Sequence, residues 1–392
     1  MKNKFFHSLL FKLLLGIAIG IGVGYIANVQ AIVVINTVKK VLGDLINYTV
    51  PLIILGFITP AIVSLKSNAG KILTATLIIC YISSVGAATM SLIAGRIIIP
   101  HLNIIIEADA GNIIPKSSFA LSITPIIPVM TALITSILIG LAVIWTKSEN
   151  WEKLLMEFNN IVLAIVEKVI INILPLYIAA TFATLSYEGT VLSEIPVFLK
   201  IIIIVIIGQF IWMSLLYSLG GIFAKVNPKE VFKYYPPAYF TAVGTMSSAA
   251  TLPVALKCAR KSEVLDKEVV DFVIPICSNT HLCGSVLTEV FFVMTVSQIL
   301  YGELPEVHTM IIFILLLGIF AIAAPGVPGG TVVASLGLIT LVLGFNDTGT
   351  ALMLSIFALQ DSFGTACNVT GDGAIALMVT GLFNRVTKKA EV

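Results

Sequence analysis

Apolar residues recur along this chain in runs long enough to span a bilayer. Eight such segments fall at 9–28, 34–63, 71–98, 122–145, 157–185, 195–223, 268–299 and 348–384. Several exceed the roughly 20 residues that a membrane-crossing helix needs, and the longest predict tilt or kinks. Two further apolar stretches are broken in their middles, 238–256 by VGTMSSAATLPVA and 309–343 by AAPGVPGGT. Backbone polar groups cannot be left open to lipid, so such breaks are tolerated only against protein or a wet cavity. The pattern predicts an all-α integral membrane protein with eight transmembrane helices and two re-entrant helical hairpins.

Composition agrees with the pattern. Of 392 residues, 58% are hydrophobic and 11% charged, too few charges to cover a soluble domain of this length. The net charge of +2 gives no reason to expect nucleic acid as a partner. The N-terminal stretch resembles a secretory signal but has no small-x-small cleavage site, which predicts a retained first helix. Cys80, Cys258, Cys277, Cys283 and Cys367 show no disulfide or zinc spacing, and most read as small buried hydrophobes.

Charge sets an expected orientation. Lys2, Lys4 and Lys12, Lys66 and Lys71, Lys147 and Lys153, Lys225, Lys229 and Lys233, and Arg385, Lys388 and Lys389 mark one side. Lys257, Arg260, Lys261 and Lys267, before the seventh span, belong with them. The alternate loops carry Glu107, Asp109, Glu188, Glu194, Glu303, Glu306 and Asp347, with Lys116 and Lys200 near them. Basic loops face the cytoplasm, which predicts a multi-pass cell-membrane protein with both termini inside. The alternation requires the two broken stretches to open on opposite sides, the first to the cytoplasm and the second outward. Paired broken helices of this kind point to the binding site of a transporter.

The last span supplies the chemistry. In ALQDSFGTACNVTGDGAIALMV, Asp361, Thr365, Asn368 and Asp372 recur at spacings of three to four and share one broad helix face. Buried carboxylates at this depth need partners, and a cation or a substrate ammonium is a natural one. The span holds no basic residue beside them. In the seventh span Asn279, Thr280, His281 and Ser285 surround Gly284 and predict an interrupted helix. His281 reads equally as a ligand, a proton carrier or a packed, satisfied imidazole.

Three motifs, SSAATLPV at 247–254, GVPGG at 326–330 and NVTGD at 368–372, resemble the dicarboxylate/amino acid:cation symporter family of glutamate and neutral amino acid transporters. The resemblance covers nearly the whole chain. It implies no enzyme but an inverted-repeat, elevator-type homotrimer in the lipid bilayer, with no cofactor beyond a coupling cation, Na+ or alternatively H+. It implies scaffold segments 1–70 and 99–190 and transport segments 71–98 and 191–392. Asp361 then matches the residue that holds the substrate α-amine. Asn368 matches the one that meets the α-carboxylate, aided by backbone around Ser247 and Ser248, and Thr365 shares their face. The segment containing Val327, Pro328 and Gly329 matches the gate. Asp372 and the nearby backbone match one sodium site, with Asn368 beside it, and the hydroxyls of Ser83 and Ser84 match a pair that helps form another. The seventh-span residues Cys277, Asn279 and His281 fall where cation ligands are expected.

Two departures matter. Acidic-substrate members carry an arginine where this chain has Gly364, so an amino acid with an uncharged side chain is expected here. The family's Asn-Met-Asp-Gly motif stands here as His281-Leu282-Cys283-Gly284. Hard cations prefer oxygen ligands, which implies fewer sodium ions or a proton added through His281. The alternatives are a dicarboxylate or acidic amino acid symporter, an anion channel, and a non-transporting membrane sensor.

Overall fold

The computed structural model describes residues 9–64, 70–102, 115–121, 123–189 and 191–390. The charged residues Lys2, Lys4, Lys66, Glu107 and Asp109 lie outside them, as do the side chains of Lys71, Glu194, Arg385, Lys388 and Lys389.

The regular elements among the described residues are all helices. The helices are α1 (Leu9–Ile26), α2 (Val29–Ser64), α3 (Gly70–Ile98), α4 (Val129–Thr146), α5 (Glu149–Ile165), α6 (Ile171–Glu188), α7 (Val191–Ala224) and α8 (Lys229–Phe232). There follow α9 (Pro236–Thr245), α10 (Ser248–Ala259), α11 (Lys267–Thr280), α12 (Cys283–Tyr301), α13 (Val307–Ala323), α14 (Gly330–Val342) and α15 (Asp347–Ala390). A π-turn, Val166–Ile170, joins α5 to α6 without a gap.

Among the described residues, five helical stretches are long and apolar enough to cross a membrane: Val29–Val63, Ile72–His101, Glu149–Glu188, Pro196–Ala224 and Lys267–Tyr301. The long helix α15 is not one of them, because Gln360, Asp361, Asn368 and Asp372 dilute its apolar character. The fourth apolar segment is shorter than its sequence suggests. Helix α4 starts at Val129 because Pro125 and Pro128 hold the preceding chain extended, with Pro128 at φ −60° and ψ 150°.

Packing falls into two groups. In one, α1 lies along α6 and α2 packs on α4, α5 and α6. Small residues make the first contact. A β-carbon on Gly20 would come within 2.3 Å of the Ala179 carbonyl oxygen, and one on Gly24 within 2.2 Å of that of Ala183. Glycine every fourth residue lets the two backbones touch, which is how apolar helices associate where lipid removes any hydrophobic drive. In the other group α15 is central, flanked by α7, α9, α11 and α12, while α3 packs on α12 and α13.

Three of the apolar stretches are broken. Between α9 and α10, Met246 adopts a left-handed conformation (φ 54°) and Ser247 caps α10 through its Oγ. Between α13 and α14, the segment 324–329 runs through Pro325 and Pro328 and ends on Gly329 at φ 70°. Between α11 and α12, His281 and Leu282 leave helical geometry.

Candidate functional site

The three breaks converge on one face of α15. Asp361, Thr365, Asn368 and Asp372 are all buried there, each at most 4% exposed, so the shared helix face expected from their spacing is an interior one.

Asp361 meets the α13–α14 break. Its Oδ2 accepts a hydrogen bond from the Gly329 amide at 2.7 Å. Gly329 is the residue before α14, so its N–H belongs to the orphan donors of a helix start. Thr365, one turn on, is buried on the same face. The tips of the two expected hairpins touch. Ser247 Oγ donates to the Gly326 carbonyl at 2.7 Å, and the Ala249 amide donates to the same oxygen at 3.2 Å. Ser248 is buried beside them, while Val327 and Pro328 are half-buried.

Asn368 serves the third break. Its Oδ1 accepts from the amides of Gly284 at 2.7 Å and Ser285 at 3.2 Å, and its Nδ2 donates to Ser285 Oγ at 2.9 Å. It therefore caps α12 from another helix. Gly284 permits that approach: a β-carbon there would lie 2.5 Å from both the Cys367 β-carbon and the Gly364 carbonyl oxygen. Position 364 is bounded by the same helix start. A β-carbon on Gly364 would stand 3.4 Å from Ser285 Cα and Oγ, which is ordinary contact.

Asp372 is partnered by His281 from the α11–α12 break, with Nδ1 2.9 Å from Oδ1. The other ring nitrogen, Nε2, lies 2.8 Å from Ser83 Oγ on α3. The basic partner absent from the last span thus arrives from the seventh. Ser84 Oγ is buried without a partner. Cys277 is buried with its sulfur 3.6 Å from that of Cys80, and its carbonyl accepts the His281 amide at 2.9 Å. Asn279 is exposed at the end of α11, its Nδ2 3.4 Å from Ser278 Oγ. Among the described residues, no three His, Cys, Asp or Glu side chains gather to hold a metal ion.

The structure adds a polar cluster that the sequence reading missed. Glu289 on α12 is fully buried, and one carboxyl oxygen accepts from Ser335 Oγ on α14 while the other has no partner. One residue before it, Thr288 Oγ1 lies 2.8 Å from Gln360 Oε1 on α15 and accepts from Gln209 Nε2 on α7 at 3.0 Å. A lone carboxylate in the apolar run SVLTEVFFV was the available signal.

Comparison with known proteins gives this geometry a family. A family model, Sodium:dicarboxylate symporter family, matches residues 9–382. Excitatory amino acid transporter 2 of Mus musculus is 29% identical over 228 residues, 56% of this chain and 39% of that protein. Neutral amino acid transporter A of Homo sapiens is 27% identical over 201 residues, 49% of this chain and 37% of that protein. A putative sodium-dependent excitatory amino acid transporter, glt-6, of Caenorhabditis elegans is 26% identical over 297 residues, 73% of this chain. The chain spans between 37% and 52% of the length of these three relatives.

Proposed function

The chain belongs to the sodium:dicarboxylate symporter family, and from that premise we propose that it is a secondary symporter of a small amino acid with an uncharged side chain. The family is one of transporters rather than enzymes. Transport is driven by a cation gradient, with sodium the cation in the family's name.

The observation that carries the reading is the bond from the Gly329 amide to Asp361. A buried carboxylate in a membrane protein is costly and marks a functional position. Here it is held by the tip of a broken helix, which can leave, rather than by a fixed basic side chain. A substrate ammonium would give Asp361 a charge partner and take over the role of that amide. Asn368 and the helix start at Ser247 and Ser248 supply donors for the α-carboxylate. Residues 326–330, with Val327, Pro328 and Gly329, then form the gate above the substrate.

The two packing groups support a scaffold of 1–70 and 99–190 and a transport domain of 71–98 and 191–392, moving against each other as an elevator within a homotrimer. In this reading both termini are cytoplasmic. The α9–α10 break opens inward and the α13–α14 break outward.

The test is uptake into proteoliposomes with equilibrium binding to the purified protein. Asp361→Asn is expected to abolish amino acid binding. If succinate or malate binds both forms as tightly as any amino acid binds the parent, the substrate assignment fails.

A further inference from the structure

Ser83, His281 and Asp372 belong to three different helical segments and are all buried. Their side chains form one unbroken chain of hydrogen bonds, Ser83 Oγ to Nε2 at 2.8 Å and Nδ1 to Asp372 Oδ1 at 2.9 Å. One neutral tautomer satisfies the whole chain: Ser83 O–H donates to Nε2, and Nδ1–H donates to the carboxylate. The ring spans the gap between the α3 hydroxyl and the α15 carboxylate.

A sodium ion held by Ser83 and Asp372 would need both oxygens turned toward it, together with several more. Hard cations of this kind take about 6 oxygen ligands. Here the imidazole stands between the two oxygens and uses both. It cannot retreat toward α15, because its Cε1 already lies so close to that helix that a β-carbon on Gly371 would come within 2.9 Å. Cys283, the first residue of α12 after the break, offers sulfur, a poor ligand for a hard cation. The Cys277 carbonyl is taken by the His281 amide. Next to Ser83, Ser84 Oγ is buried without a partner. One further neutral hydroxyl does not replace the hydration of a cation.

We infer that the imidazole of His281 fills the space a coupling sodium ion would need beside Ser83 and beside Asp372, so that neither side chain binds sodium in this chain. The inference rests on the symporter reading for its meaning, because only there does a cation belong at this position. Its consequence is a tie that is part of the polypeptide. The link from α3 to α15 does not depend on the sodium concentration on either side of the membrane.

The experiment is equilibrium binding of radioactive sodium to the purified full-length protein, without amino acid present. Asp372→Asn is expected to leave the number of sodium ions bound, and their affinity, unchanged. His281→Asn combined with Cys283→Asp places oxygen donors at both positions and is expected to bind one sodium ion more than the parent. Loss of a bound sodium, or an affinity drop of about 10-fold (~1.4 kcal/mol), in Asp372→Asn overturns the inference. So does a folded double variant that gains none. If the double variant does not fold, the Asp372→Asn result decides alone. Amino acid uptake is measured separately, so its failure would sink the symporter reading while leaving the sodium result intact.

Discussion

Lys40 on α2 reaches across to Asp347 at the start of α15, Nζ to Oδ2 2.5 Å, while also lying 3.0 Å from Asp44 on its own helix. Lys40 and Asp347, with Lys39, Lys116 and Tyr177, line a cavity of about 380 Å3. The pair joins the two packing groups and must break if those groups slide past each other. Asp347 is 61% exposed, so the pair is worth at most about 1 kcal/mol. Lys40→Gln is therefore expected to leave the melting temperature nearly unchanged while altering the uptake rate by up to about 5-fold. High ionic strength should erase the difference between variant and parent. A variant whose rate matches the parent at low ionic strength would show that the pair does not restrain the movement.

Substrate charge is the second prediction. An acidic side chain in a closed site needs a fixed positive partner, since an unpaired buried carboxylate costs several kcal/mol. The interior face of α15 offers Gly364 where that partner would stand. Competition binding should favour some neutral amino acid over aspartate and glutamate by at least ~10-fold, about 1.4 kcal/mol. Equal or tighter binding of aspartate at neutral pH would show that another cation serves the site.

Glu289 separates charge from hydrogen bonding. Ser335 donates to one of its oxygens, and nothing pairs with the other. Glu289→Gln keeps the acceptor and removes a buried ionisable group, so its thermal stability should equal or exceed that of the parent. Glu289→Ala leaves a cavity and returns the Ser335 hydroxyl to the Val332 carbonyl, which it already reaches at 3.1 Å, at a cost of about 2–4 kcal/mol from the cavity. Destabilisation of the glutamine variant as large as that of the alanine variant would reveal a charged partner.

Two glycines of α1 make a paired test. A β-carbon on Gly24 would sit 2.2 Å from the Ala183 carbonyl oxygen, whereas nothing lies within 4 Å of one on Gly22. Gly24→Ala should cost at least about 1–3 kcal/mol through overpacking. Gly22→Ala should be neutral or stabilising by up to about 1 kcal/mol. Thermal melting of the two variants side by side checks both, and equal melting would mean that α1 does not seat on α6 this closely.

The sequence displayed what depends on local residue type. SSAATLPV and APGVPGG announced breaks because Pro, Gly and hydroxyl residues disrupt a helix wherever they stand. The spacing of Asp361, Thr365, Asn368 and Asp372 announced one face because helical periodicity is local. Pairing between distant segments was not legible. Nothing near Asn368 says that it caps a helix beginning at Cys283, and nothing near Asp372 says that its partner is His281. Both contacts depend on how the broken seventh span docks against the last one. Glu289 hid for the opposite reason: a single charge in a long apolar run changes the average little. The fourth span was drawn too long because apolar content outweighed Pro125 and Pro128.

The Gly326 carbonyl accepts from both Ser247 and Ala249, so the two broken stretches share a single fastening. Whichever tip lifts first, the same two hydrogen bonds are lost. In the symporter proposed above, unsealing the inner face and unsealing the outer face would therefore begin from one common cost. A substitution that weakens this fastening, such as Ser247→Ala, would then loosen both tips at once, and a leak through them would run in either direction.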